Sequence, residues 1–272
     1  MPSRIRTVIA PGKLVLLGEY AVLDGAPAIV AAVDRGVRCD VEAGEGLLTP
    51  GDDRFVRAAL ESAPRAFYRF SDVNPAHGLS GKPGFGGSAA ATVAAVLAAG
   101  LPAASAFEVH ERVQGGGSGI DVFASIYGGV RRFPDGEPVA CPPISAVWSG
   151  QSAATGPRVQ RYRLWGGREA FVAESRALVA AFAQEPLRAA REAYALLCAM
   201  AHEAGIDYDL PAFRSIASLA ARFGGAAKPS GAGGGDIAVA LFPDTAARIA
   251  FEAACAAEKL TTIPVNVAHG AR

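Results

Sequence analysis

Lys82-Pro83-Gly84-Phe85-Gly86-Gly87-Ser88 runs directly into Ala89-Ala90-Ala91-Thr92-Val93-Ala94-Ala95-Val96-Leu97, a glycine-rich loop feeding a helix-forming run. The loop's amides and the free N–H groups of the helix start would face one point, which is how a chain cradles phosphate. The stretch has neither the G-x-x-x-x-G-K-[ST] spacing of a Walker A loop nor the G-x-G-x-x-G of a dinucleotide site, so a phosphate compound would be held another way. Alanine on every face of the helix lets neighbouring backbones come close, which predicts a buried helix. Ser88 in the first turn can offer its hydroxyl to Mg²⁺ or serve as an ordinary N-cap, and the local residues leave both open.

Working outward, glycine punctuates three more places: Pro11-Gly12-Lys13, Gln114-Gly115-Gly116-Gly117-Ser118-Gly119-Ile120-Asp121, and Lys228-Pro229-Ser230-Gly231-Ala232-Gly233-Gly234-Gly235-Asp236. The run before Asp121 costs entropy on folding and brings no packing, so its shape is its use. Asp121 could there orient or deprotonate a hydroxyl, or it could cap a helix beginning near Val122. Lys13, at a sheet edge, could pair with Asp121 or with a phosphate. Lys82 and Lys228 each precede a glycine loop and are placed to reach phosphate oxygens as point charges. Arg131 and Arg132 fit a solvated strand end as well as a site.

Composition narrows the partner. The 272 residues carry 26 basic and 26 acidic side chains, 51% are apolar, and no basic stretch stands out, which argues against nucleic acid or an anionic membrane. Lys13, Glu19 and Asp24 interrupt the apolar start, and no run of about 20 apolar residues occurs. A soluble, cytoplasmic protein with a small-molecule substrate is expected. Cys39, Cys141, Cys198 and Cys255 are too scattered for a metal or disulfide framework and read as buried small residues. His77, His110, His202 and His269 are equally scattered and read as structural or surface residues.

The expected fold is α+β in two lobes, residues 1–145 and 146–272. The first opens with strands at Ile5–Ile9, Leu14–Leu17, Ala28–Val33 and Arg35–Glu42, with Asp24-Gly25 as a hairpin signal. A short helix (Arg54–Ser62), a strand (Ala66–Ser71), the alanine-rich helix and a helix into Val113 follow. The second lobe reads as helices over Glu169–Gln184, Pro186–Ala204 and Pro211–Phe223, then strand Ile237–Phe242, helix Thr245–Lys259 and strand Thr261–Val267.

Taken together these segments resemble the superfamily of galactokinase, homoserine kinase, mevalonate kinase and phosphomevalonate kinase. Ala10 to Leu23 resembles its first motif, Gly84 to Ala90 its phosphate loop and Lys228 to Asp236 its third motif. Gly18-Glu19-Tyr20, Gln114 to Ser125, Trp148 to Thr155 and the terminal Asp236 are most similar to the phosphomevalonate kinases. The resemblance implies a two-lobed fold, with an N-terminal α/β lobe related to a ribosomal-protein domain and a ferredoxin-like C-terminal lobe. It implies ATP and Mg²⁺, with transfer to 5-phosphomevalonate, or to mevalonate, or binding without catalysis. By the same resemblance Lys13, Lys82 and Asp121 would be catalytic, and Gly84, Gly86, Gly87, Ser88 and Ala89 would wrap the ATP phosphates. Glu19, Tyr20, Ser118, Gly119, Lys228, Ser230, Gly231 and Gly233 would meet the acceptor, and Ser88 and Glu111 the metal. This chain departs from the family at Gly87, where a second serine is usual, and at His110, where mevalonate kinases carry an acidic metal ligand beside which Glu111 stands. It is also short between about Gly44 and Gly81.

Overall fold

A computed structural model describes residues 6–76, 78–79 and 81–272, so Ile5 and His77, both discussed above, lie outside the described residues. The chain opens with β1 (Arg6–Leu17), a 3₁₀ turn (Ala21–Asp24) and β2 (Ala28–Glu42), followed by β3 (Gly46–Leu48), α1 (Arg54–Leu60) and β4 (Phe67–Val73). Three helices then follow in succession, α2 (Gly87–Ala98), α3 (Ser105–Gln114) and α4 (Ile120–Tyr127), before β5 (Val130–Phe133). The second half runs β6 (Ile144–Trp148), α5 (Thr155–Leu164), α6 (Arg168–Ala181), α7 (Pro186–Glu203) and α8 (Pro211–Arg222). It closes with β7 (Ala226–Pro229), β8 (Ile237–Leu241), α9 (Thr245–Ala257) and β9 (Thr261–Ile263).

The four expected N-terminal strands merge into two long ones. β1 and β2 pair antiparallel from Arg6 opposite Val41 to Leu17 opposite Ile29, with a register shift between Ala10 and Gly12. Pro11, which has no N–H to give to a ladder, sits at that shift, so the strand bulges there instead of ending. The Asp24-Gly25 signal is not a two-residue hairpin: the 3₁₀ turn occupies Ala21–Asp24 and Gly25, at φ 73°, closes it. β4 and β5 both pair with β2 on its other edge, at opposite ends, and β3 runs parallel to β4.

The alanine-rich helix α2 lies across this sheet. Ala89, Ala90, Val93, Ala94, Ala95 and Val96 are completely buried against Val8, Ala10, Val37 and Cys39 of β1 and β2. Small side chains let α2 come close to the strands, and that fixes where its N-terminus opens.

The second sheet has the order β7-β8-β6-β9 and begins at Ile144. Strand alternation sends Val147, Ala238 and Ala240 to α8 and α9 on one face. Ala146, Trp148, Val239 and Leu241 face the other way, toward α6, α7 and the Leu14, Leu16 and Ile29 side of the first sheet. The expected strand Thr261–Val267 is regular only to Ile263; the tail beyond it returns to the first sheet, where Val267 bridges Val33 and Ile9 and Arg272 exchange two backbone hydrogen bonds. The four cysteines are free thiols, Cys39 and Cys255 buried and Cys141 and Cys198 half-buried, with burial pushing Cys39 and Cys141 up to about 12. No described helix is long and apolar enough to cross a membrane.

Candidate active site

The bulge in β1 turns Lys13 toward the glycine loop, and the Lys13 amide donates to the Phe85 carbonyl at 2.9 Å. Ser125 of α4 donates its hydroxyl to Pro11 O at 2.8 Å, which anchors that helix to the same bulge. The two ties bring the helix starts of α2 and α4 together. Lys13 Nζ, largely buried, stands 3.6 Å from Asp121 Oδ1. A Cβ on Gly86 would lie 3.1 Å from Lys13 Cγ and 3.3 Å from Asp121 Oδ2, so the loop passes directly over the pair.

Both loops turn into their helices through a left-handed glycine, Gly86 at φ 73° for α2 and Gly119 at φ 76° for α4. Glycine takes that conformation without a Cβ penalty. Neither Ser88 nor Asp121 is therefore an N-cap; each lies one step inside its helix, within the first turn and its partial positive charge. Gly87 and Ser88 are exposed, and nothing stands within 4 Å of a Cβ placed on Gly87. The start of α2 is therefore open to solvent. Ser118 is used locally, its hydroxyl accepting from the Ile120 amide at 3.4 Å.

The third motif closes the far side. A Cβ on Gly231 would be 4.0 Å from Lys13 Nζ, and one on Gly84 would be 2.6 Å from Asp236 Oδ2. Asp236 accepts from the Ala153 amide at 3.1 Å, and burial raises its carboxyl above the usual range, against the opposing pull of that hydrogen bond and of Lys13 and Arg158. Trp148 to Thr155 staples motif to loop: Ser152 donates to Lys82 O at 3.1 Å and Gln151 Nε2 to Gly234 O at 2.9 Å.

Several residues expected to meet the acceptor are otherwise engaged. Lys228 does not reach toward phosphate; its ammonium is fully buried against Glu19 and also donates to Pro229 O at 2.8 Å. Burial holds the Lys228 pKa below the ordinary lysine value despite the Glu19 charge. The Tyr20 hydroxyl donates to Ala232 O at 2.7 Å, and the Ser230 hydroxyl accepts from the Val15 amide at 2.9 Å. Tyr208 fills the space where Gly233 would carry a Cβ. Glu19, Tyr20, Lys228 and Ser230 thus join β1 to the third motif through their side chains. Lys82 is exposed, with Nζ 3.8 Å from the Cβ position of Gly51 and its charge acting on Asp52.

The metal residues divide. Glu111 is exposed on α3, whereas His110, on the buried face, brings Nε2 to 3.3 Å from Ser88 Oγ. Burial lowers the His110 pKa, and the Asp121 charge works against that shift. No three His, Cys, Asp or Glu side chains cluster as a metal cage among the described residues. Of the two residues expected at the metal, Ser88 stands at the loop, where its hydroxyl could hold a divalent ion together with phosphate oxygens of a nucleotide.

This two-loop architecture has known counterparts. The family described as GHMP kinases C terminal matches residues 177–259. A phosphomevalonate kinase from Streptomyces sp. (strain CL190) is 28% identical, covering 91% of this chain and 93% of its own. Residues 177–259 are thus similar to the C-terminal part of the GHMP kinases, and the likeness to the Streptomyces enzyme extends over most of the chain. A mevalonate kinase from Archaeoglobus fulgidus is 30% identical over 49% of this chain and 54% of its own. The Streptococcus pneumoniae phosphomevalonate kinase, solved with phosphomevalonate and AMPPNP, superposes with a TM-score of 0.75 at 16% identity, covering 98% and 100% of the two chains. That likeness concerns the fold, and the α+β GHMP kinase fold is the one this chain has. The Streptomyces alignment runs over 351 positions against 272 residues, so that relative holds segments which this chain lacks.

Proposed function

We propose that this chain transfers the γ-phosphoryl group of ATP, with Mg²⁺ or a similar divalent ion, to the phosphate of 5-phosphomevalonate, releasing ADP and 5-diphosphomevalonate. The observation that carries the reading is the position of Gly86, over both Lys13 and Asp121 at the open start of α2. A phosphate seated on the amides of Gly87, Ser88 and Ala89 would present its transferable end to that pair.

In the transfer, an acceptor oxygen forms a bond to the γ-phosphorus as the bond to the β,γ-bridging oxygen breaks, and ADP leaves with that electron pair. An acceptor phosphate is already largely deprotonated near neutral pH, so the demand on the protein is charge neutralisation and alignment more than proton abstraction. Lys13 supplies a fixed cation, and Asp121 holds that ammonium and orients the acceptor. Lys82, exposed at the surface, adds a second cation as substrate enters. The divalent ion, when bound, neutralises charge on the β- and γ-phosphates.

The Streptomyces relative favours a phosphate acceptor, because its likeness runs through both lobes while the mevalonate kinase matches half the chain. Steady-state ADP release with mevalonate, 5-phosphomevalonate, homoserine and galactose tests the reading. Turnover with 5-phosphomevalonate supports it, turnover with mevalonate moves the acceptor to a hydroxyl, and nucleotide binding without ADP release from any of them overturns catalysis.

A further inference from the structure

Helix α5 carries three arginines and no acidic residue, and the transfer described above uses none of them. Two of the three do similar local work. Arg158 Nε donates to Asp207 O at 2.9 Å and Arg161 Nη1 to Gly205 O at 2.6 Å, which ties the helix to the turn after α7. Arg158 is set apart by what lies beyond that tie. A second bond, from Nη1 to Ala154 O at 2.8 Å, fixes the plane of its guanidinium, which packs against Gly234 where a left-handed φ of 67° and a missing Cβ leave it room. A guanidinium has five N–H donors. These bonds use two of them, and among the described residues the others, on Nη1 and Nη2, have no acceptor and no carboxylate within ion-pair distance. Asp236 feels the Arg158 charge, but its carboxylate is turned to the Ala153 amide and to Gly84.

The place of this half-buried cation matters. Gly234 lies three residues after Gly231, whose Cβ position is 4.0 Å from Lys13 Nζ, so the two glycines stand at most about 11 Å apart. Arg158 is thus a second oriented cation within reach of a small acceptor that touches the Lys13 and Asp121 pair. A phosphate presented to that pair leaves the other end of 5-phosphomevalonate, its carboxylate, to be met elsewhere. A planar fork with unused N–H groups on both terminal nitrogens matches the two oxygens of a carboxylate, which the point charge of a lysine does not. We propose that Arg158 binds the carboxylate of the acceptor, so that α5 and the third motif together select a substrate that is acidic at the end remote from the transfer.

The inference rests on the proposed kinase reading, and the test separates the two. Steady-state ADP release and calorimetric binding are measured with 5-phosphomevalonate and with its C1 carboxamide for the wild type, R158M, R158K and R161M. The wild type is expected to favour the acid over the amide by about 10–100-fold in KM, the range of a charge-assisted pair. R158M loses that preference through the acid alone, with kcat and the KM for ATP little changed. R158K, which keeps the charge without the fork, falls between. R161M, which breaks the same kind of tie to the turn after α7, keeps the wild-type preference. The ratio of acid to amide is internal to each variant, so a loss of stability in R158M does not move it. A ratio retained in R158M, or a KM raised equally for acid and amide, overturns the assignment of Arg158 and leaves the kinase reading standing. Binding with an Arg158-dependent preference but no ADP release keeps the assignment and overturns the transfer; absence of both binding and ADP release with either compound overturns both.

Discussion

The loop at 84–88 and the motif at 228–236 are similar in composition and opposite in use. In the first, Gly84 and Gly86 make way for Asp236, Lys13 and Asp121, but Gly87 faces empty space and Ser88 is exposed, so the loop stays open at the helix start. In the second, the missing side chains make room for the protein itself. Gly233 receives the ring of Tyr208, Gly234 the guanidinium of Arg158, and Gly235 the backbone of Gln151 and Ser152. The lysines beside them differ in the same sense, Lys82 exposed at the surface and Lys228 sealed against Glu19. A glycine-rich stretch beside a lysine is therefore evidence of close approach, and only burial says what approaches.

The widest gap between the two regions is expected in substitutions of charge. Asp121→Asn, on the open side, should cut turnover by about 10²–10⁴-fold while the unfolding curve stays in place, as measured by ADP release and urea titration. Lys228→Met should do the reverse, costing about 3–5 kcal/mol of stability because it leaves Glu19 charged and buried without its partner. A Lys228→Met enzyme that unfolds at the wild-type urea concentration would break the comparison.

Glycine replacements sharpen it on a smaller scale. Gly234→Ala forces a side chain into the space of Arg158 at a residue of φ 67° and is expected to cost about 1–3 kcal/mol. Gly87→Ser enters open space and should stay within about 0.5 kcal/mol of the parent. The smallest effect belongs to Asp236, where the two regions touch. Its carboxyl is raised in the folded protein, so ionisation is penalised above that folded value and the penalty vanishes below the unfolded one, about pH 3.9. Asp236→Asn retains an acceptor for the Ala153 amide and should melt slightly higher than the parent at pH 7, the difference closing as pH falls toward 3. A gap that widens on acidification would show the opposite sign.

How much of this was legible in the sequence depends on the range of the interaction. Helices α7 and α8 show in their own periodicity and in Pro186 and Pro211 at their starts, and α2 in its alanine-rich run. The Arg-rich α5, with Gly156 and Pro157 in its first turn and only Tyr162 buried, carries no such stripe and was not expected. The short runs of β6 and β7 gain their strand character from β8, far along the chain. Lys13, Gly86 and Asp121 could be singled out because each sits in a local motif. The fate of Lys228 could not, since its partner lies 209 residues away. His110 gave a weak signal, falling four residues after buried Ala106 on one face of α3, but its contact with Ser88 depends on how α3 crosses α2.

The tail that returns to the first sheet makes the second sheet, in topological terms, an insertion. Residues 266–272 hydrogen-bond to Ile9, Ala32 and Asp34 after the chain has threaded all of β6 to β9. The first lobe is thus a clasp whose two halves are made at opposite ends of these 272 residues. On a ribosome the loop at 84–88 would be synthesised before the second sheet, yet the sheet beneath it would be completed only when residues 266–272 emerged after it. Assembly of the first sheet and of the second sheet inserted in it is in that way a single event.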